Sequence, residues 1–124
     1  MMLEAGTDLE SVERFRRLYE NRPIIIDKMF FESELKYANQ KVRPWETLTG
    51  IWCAKEAVLK AFTPFLQLNV KQLEIVSDPH KSFPKVKIHL DSETQFSYRI
   101  SVSISHSNNM AMAFAIVQIM DLVG

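Results

Sequence analysis

The chain has 124 residues, with 15 basic and 15 acidic side chains and a formal net charge of +0. That is one ordinary domain, 1–124, whose 47% hydrophobic and 24% charged residues exclude a disordered chain. The balanced charge excludes a nucleic-acid partner held by net charge. The single cysteine, Cys53, excludes a disulfide framework and a multi-thiolate metal site.

Met2 to Asp8 is expected as a strand running into a helix over Leu9 to Asn21, which Arg22-Pro23 ends. Ile24 to Met29 is apolar enough for a buried short helix or strand, and the pattern does not choose between them. Ser33 to Gln40 reads as a short helix. Pro44, suited to a first helical position, opens the strongest helix, Pro44 to Phe62, which Thr63-Pro64 stops. Leu73–Val76 and Val86–Leu90 are expected strands around a turn-rich Ser77-Asp78-Pro79-His80. Tyr98, Ile100, Val102 and Ile104 alternate with polar residues, as in a half-buried strand. Ser107-Asn108-Asn109 supplies a turn, and Met110 to Ile119 is apolar on both alternating faces, like a central strand. The order implies an α+β fold, a mostly antiparallel sheet with the long helix packed on it. No apolar run reaches the roughly 18 residues of a membrane span, and no basic-then-apolar leader opens the chain, so a soluble, cytoplasmic protein is expected.

At about 100° per residue, Leu48, Ile51, Trp52, Val58, Leu59 and Phe62 share one helix face, with Lys55 in the middle. Lys55 is either snorkelling out along its stem or held to meet a ligand phosphate. Glu56 and Lys60, four apart at the border of that face, are in the spacing of an ordinary surface ion pair. Asp8 and Glu10 face the same side if the strand continues, and could then share a hard cation. Near a helix start, they would instead satisfy free N–H groups. His106 ends a strand beside a turn, where a lone histidine is ordinarily a surface residue. His80 and His89 have no metal-ligand neighbours at the right spacing. Only three glycines are present, so no glycine-rich phosphate loop can be built.

These features align with one family. Gly6-Thr7-Asp8-Leu9-Glu10-Ser11-Val12-Glu13-Arg14-Phe15 resembles the GxDxxxxxRF segment of holo-acyl-carrier-protein synthases. Gly50 to Ala61 resembles their central helix, (W/F)xxKEAxxKA, and Ser101-Val102-Ser103-Ile104-Ser105-His106-Ser107 is similar to their VSISH segment. Met29-Phe30-Phe31-Glu32-Ser33-Glu34-Leu35 is a looser fourth block. The resemblance implies transfer of 4'-phosphopantetheine from coenzyme A to a serine of an apo acyl carrier protein, with Mg2+, releasing adenosine 3',5'-bisphosphate. It implies Asp8 and Glu56 as metal ligands, Glu10 as an extra ligand or water-mediated base, and Lys60 at the phosphates. Lys55, Arg43 and His106 are implied coenzyme A contacts. Arg14, with Arg16, Arg17 and Arg22, is the implied carrier-protein contact, an arrangement that captures acidic partners whatever the net charge. The family's small members are homotrimers with sites shared between subunits, and the resemblance implies the same here.

Three departures mark the chain. Phe62-Thr63-Pro64-Phe65 replaces a Gly-rich turn, and Ile51 stands where the family commonly has an arginine. Asp78 to Pro84 replaces an Asn-x-x-Gly-Lys-Pro turn. An active but divergent enzyme is expected. The alternatives are a non-catalytic binder of coenzyme A or carrier protein on the same fold, and a structural oligomer in which Glu56 and Lys60 merely pair.

Overall fold

The computed structural model describes residues 1–78, 80 and 83–122. Strand β1 (Met2–Ser11) leads into three helices, α1 (Val12–Asn21), α2 (Pro23–Met29) and α3 (Glu32–Asn39), and then the long helix α4 (Pro44–Phe62). A short 3-10 turn, Val70–Gln72, precedes β2 (Leu73–Val76), followed by β3 (Lys85–Ile88), β4 (Phe96–Ser107) and β5 (Met110–Leu122).

The main sheet has the order β1-β5-β4, antiparallel throughout, and β2 and β3 form a separate antiparallel pair. The α+β expectation therefore holds, with β5 central as its sequence suggested. Alternation sends Ala111, Ala113, Ala115, Val117 and Ile119 of β5 inward, where they are buried. Helix α4 packs chiefly across β1 and β5 and meets them with its own small residues, Cys53, Ala54, Ala57 and Ala61. Small side chains on both surfaces allow an unusually close approach. At Gly6 there is no room for a Cβ, which would overlap the Ala57 carbonyl oxygen. On the other side of the helix, Phe15, Phe30 and Trp52 pack with ring centroids 6.0–6.4 Å apart.

Helix α4 spans the expected residues. Pro44 opens it, and the Thr63 N–H closes it onto Leu59 O. Strand β1 runs three residues further than expected. Its register continues to Ser11↔Met110, and only then does Ser11 cap α1, its Oγ accepting from Arg14 N. Pairing with β5 along its full length outweighs the local helical pattern from Leu9 onward. The segment Ile24 to Met29 is helical, but only Ile26 is buried, and Ile24 is 68% exposed. The expected buried element is thus a helix buried on one face only, because one face of a two-turn helix cannot cover three consecutive isoleucines. Pro79, in the stretch expected as a turn after Val76, lies outside the described residues, as do Lys81 and Ser82.

Candidate active site

Because β1 continues as a strand, Asp8 and Glu10 project from the same inner face, beside α4. The alternative, an acid at a helix start, does not apply to Asp8. From the neighbouring flank of α4, Lys60 crosses to β1, its Nζ 2.8 Å from Thr7 O and 3.3 Å from Asp8 Oδ1. The ion pair of Lys60 is therefore with Asp8 and not with Glu56, which corrects the helix-surface reading. With Lys60 55% exposed, the pair contributes at most about 1 kcal/mol to stability. Its significance is the placement of charge.

The second carboxylate oxygen, Asp8 Oδ2, is buried and has no partner among the described residues. Glu56 is half-buried. Burial first, and then the Asp8 charge, raise its carboxyl above the ordinary range, and the Lys60 ammonium opposes the shift. Glu10 is raised in the same sense, by burial first and with Arg14 opposing; its Oε2 lies 3.1 Å from Arg14 Nη1. The charges of Asp8, Glu10 and Glu56 thus act on one another, and the Lys60 ammonium only partly compensates them. Hard oxygen donors, one of them buried without a partner, suit a divalent cation of the Mg2+ kind. Such a cation takes one or two carboxylates and completes its shell with water and substrate oxygens. Among the described residues no three His, Cys, Asp or Glu side chains are gathered to hold a metal by themselves. Glu10 is engaged by Arg14 instead.

His106 lies elsewhere. It shares a row across the sheet with Ala111 and Glu10, so two strand spacings, about 10 Å, separate it from Glu10. Its Nε2 is 2.9 Å from Glu46 O, and with Tyr37, Thr47, Ile51, Asp78 and Ser103 it lines a cavity of about 330 Å³. Ile51 and Glu56 are five residues apart, about 140° around α4, so this cavity and the carboxylates flank opposite sides of the helix. One chain does not bring the two halves together.

Arg43 does not reach that cavity. It is exposed at the start of α4, 3.9 Å from Glu46, and borders a separate groove with Arg16, Trp45 and Asn109. Lys55 departs from both of its readings. Its side chain is 0% exposed and its Nζ lies 2.6 Å from Glu34 Oε1, so it neither snorkels nor offers a face to a phosphate. Arg14, Arg17 and Arg22 are exposed along α1 and its end, Arg17 being 3.7 Å from Glu13. Ile24 and Ile25, exposed beside Arg22, are additions to that surface. Three consecutive isoleucines in a seven-residue helix were the available signal.

Residues 4–115 match the profile of the 4'-phosphopantetheinyl transferase superfamily. The chain belongs to this superfamily. It is 33% identical over 118 residues to the holo-[acyl-carrier-protein] synthase of Thermodesulfovibrio yellowstonii, covering 94% of this chain and 99% of that one. It is 32% identical over 127 residues to that of Clostridium novyi, covering 96% and 89%. In fold it resembles the Chronobacterium ammoniagenes ACPS-CoA complex, at a TM-score of 0.76 and 22% identity over 98% of this chain and 100% of that one. The family and enzyme class that the sequence blocks implied both hold: this is a phosphopantetheinyl transferase of the holo-[acyl-carrier-protein] synthase group.

Proposed function

We propose that the protein moves the 4'-phosphopantetheine arm of coenzyme A onto a serine of an apo acyl carrier protein, with Mg2+, in the cytoplasm. The observation that carries this reading is the buried, unpartnered Asp8 Oδ2 beside Glu56, with the Lys60 ammonium held at the same carboxylate. The carrier serine oxygen bonds to the β-phosphorus and the bond to the leaving 3',5'-bisphosphate breaks. Asp8 and Glu56 would hold Mg2+, which when bound neutralises charge on the pyrophosphate oxygens. Lys60, its Nζ held beside Thr7 O and Asp8 Oδ1 at the end of a largely exposed side chain, meets the oxygens on which charge builds. Glu10, whose carboxyl holds its proton more tightly than an ordinary one, is suited to take up the serine proton.

A homotrimer with sites between copies is part of the proposal. The outer face of the main sheet carries exposed Leu3, Leu9, Met110, Met112, Phe114 and Ile116, an apolar stripe of the kind that marks an interface. Within one chain a donor lying against both His106 and Asp8 would have to pass around α4, and a second copy supplying one of the two contacts removes that detour. Arg14, Arg17 and Arg22, with Ile24 and Ile25, form a basic and apolar surface suited to an acidic carrier helix. Among the described residues no helix is long and apolar enough to cross a membrane.

The test is intact-protein mass spectrometry of an apo carrier incubated with the protein, coenzyme A and Mg2+, with and without EDTA. A gain of one phosphopantetheine is expected, abolished by EDTA and by Asp8→Ala or Glu56→Ala. No gain over several carriers, while coenzyme A still raises the melting temperature, would replace the transferase reading with that of a non-catalytic binder.

A further inference from the structure

The ion pair between Glu34 of α3 and Lys55 of α4 is more completely enclosed than any group at the proposed active site, and the chemistry above does not use it. Both side chains are 0% exposed. Glu34 Oε1 accepts from Lys55 Nζ at 2.6 Å and from Phe31 N at 2.8 Å, and its Oε2 accepts from Ile75 N at 2.8 Å. Lys55 Nζ also lies 3.4 Å from Met29 O, with the Phe30 and Phe31 rings 5.2 and 5.3 Å away. One carboxylate therefore ties α4 to the start of α3 and to β2 by directional bonds.

Stability alone is a weak reason for such a pair. Desolvating two charges can cost as much as their attraction returns, and well-packed apolar replacements are often as stable. What directional bonds supply is orientation. Lys55 directly precedes Glu56, about 100° away around the helix, and Lys60 follows on the flank of Glu56. Against the sheet, α4 is seated by the close contact at Gly6, but a row of alanines offers little resistance to rolling. Side-chain ends lie about 5–6 Å from a helix axis, so a roll of about 10° moves them about 1 Å. Displacements of that size can lower a rate about 100-fold.

We propose that Glu34 and Lys55 are positioning residues that fix the rotation of α4 about its axis and so aim Glu56 and Lys60 at Asp8. This rests on the transferase reading of that site. The test compares the parent protein with Glu34→Asp, which keeps the charge but withdraws the carboxylate by one methylene, and with Glu34→Gln/Lys55→Met. For each, kcat, the KM for carrier, the half-saturating Mg2+ concentration and the melting temperature are measured, with kinetics well below every melting point. Expected is a kcat about 10-fold or more lower in Glu34→Asp, with the half-saturating Mg2+ raised and the carrier KM unchanged. Loss of melting temperature without these changes would mean a purely structural pair and would overturn the inference. So would a folded double variant turning over as the parent does. If the double variant does not fold, Glu34→Asp decides alone. A parent that transfers nothing would overturn the site reading and this inference together, whereas an active parent with a fully active Glu34→Asp would overturn the inference only.

Discussion

Replacing Gly6 with alanine tests whether the closeness of α4 to β1 is what assembles the site. A Cβ there would overlap Ala57 O and stand 2.9 Å from Ala61 N and 3.0 Å from Ala57 C. All three are backbone atoms of a buried helix, so no side chain can swing away. Relief requires the helix and strand to separate by about 1 Å, and a gap of that size costs atom pairs across the seam a quarter to a half of their attraction. For about 40 such pairs at about 0.15 kcal/mol each, the loss is about 2 kcal/mol. Residual strain from overpacking brings the total to about 3 kcal/mol. In a domain of this size that lowers the melting temperature by about 10–15 °C. The same separation draws Asp8, two residues along β1, away from Lys60, so turnover should fall about 10-fold or more in protein that is still folded. Thermal melts and carrier-transfer kinetics at a temperature where both proteins are folded provide the two readouts. A Gly6→Ala protein melting within about 2 °C of the parent would refute the packing argument.

Gly50→Ala should behave differently, since its Cβ would meet only Ile104 Cγ2 at 2.9 Å and the His106 ring at 3.0 Å, both side-chain ends that can move. A small change in melting temperature with a raised KM for coenzyme A is expected; a fall as large as that of Gly6→Ala would contradict it. The Cys53 thiol is buried, and burial first, then the Asp8 charge, push its pKa up to about 12. A thiol reagent at pH 8 should therefore leave the native protein unlabelled and label it fully in urea, and native labelling would show an opening that the packing does not allow. Glu74 accepts from Ser33 Oγ and pairs with His89 Nε2 at 2.8 Å, and these bonds, that of Ser33 first, hold its carboxyl below the ordinary range. Its contribution to stability is complete above the ordinary carboxylate range and is lost as pH falls through the lowered value. Glu74→Gln should thus be less stable than the parent in urea at pH 7 and converge with it in acid. A gap independent of pH would count against the assignment.

What the sequence made legible is what depends on neighbours along the chain. Pro44 and Thr63 bound α4 because a missing N–H and a stop before Pro64 are local facts. The alternation through Tyr98 to Ile104 likewise identified β4 without knowledge of its partner. The extension of β1 to Ser11 was not legible, because it is set by β5, about a hundred residues later in the chain. Lys55 illustrates the same limit. A lysine inside an apolar stripe has two ordinary explanations, and the third, a buried carboxylate from α3, becomes available only once α3 has packed.

The candidate site divides along the same line. Glu56 and Lys60 sit four apart, the spacing of a helix-surface pair, yet Lys60 turns to Asp8 across an interface that no spacing rule reaches. Motif resemblance supplied Asp8 and Glu56 together, and β1 and α4 give that pairing a physical basis. Resemblance also grouped His106 and Arg43 with them, and within one chain the topology holds these residues apart. Sheet order β1-β5-β4 places Asp8 and His106 on opposite edges with α4 seated between them, and Arg43 opens onto a different groove. A sequence motif records which residues serve one reaction without recording which copy of the chain supplies them. The apolar outer face of the sheet is the feature that would let separate copies meet, so the geometry that divides the site within one chain also argues for its completion between chains.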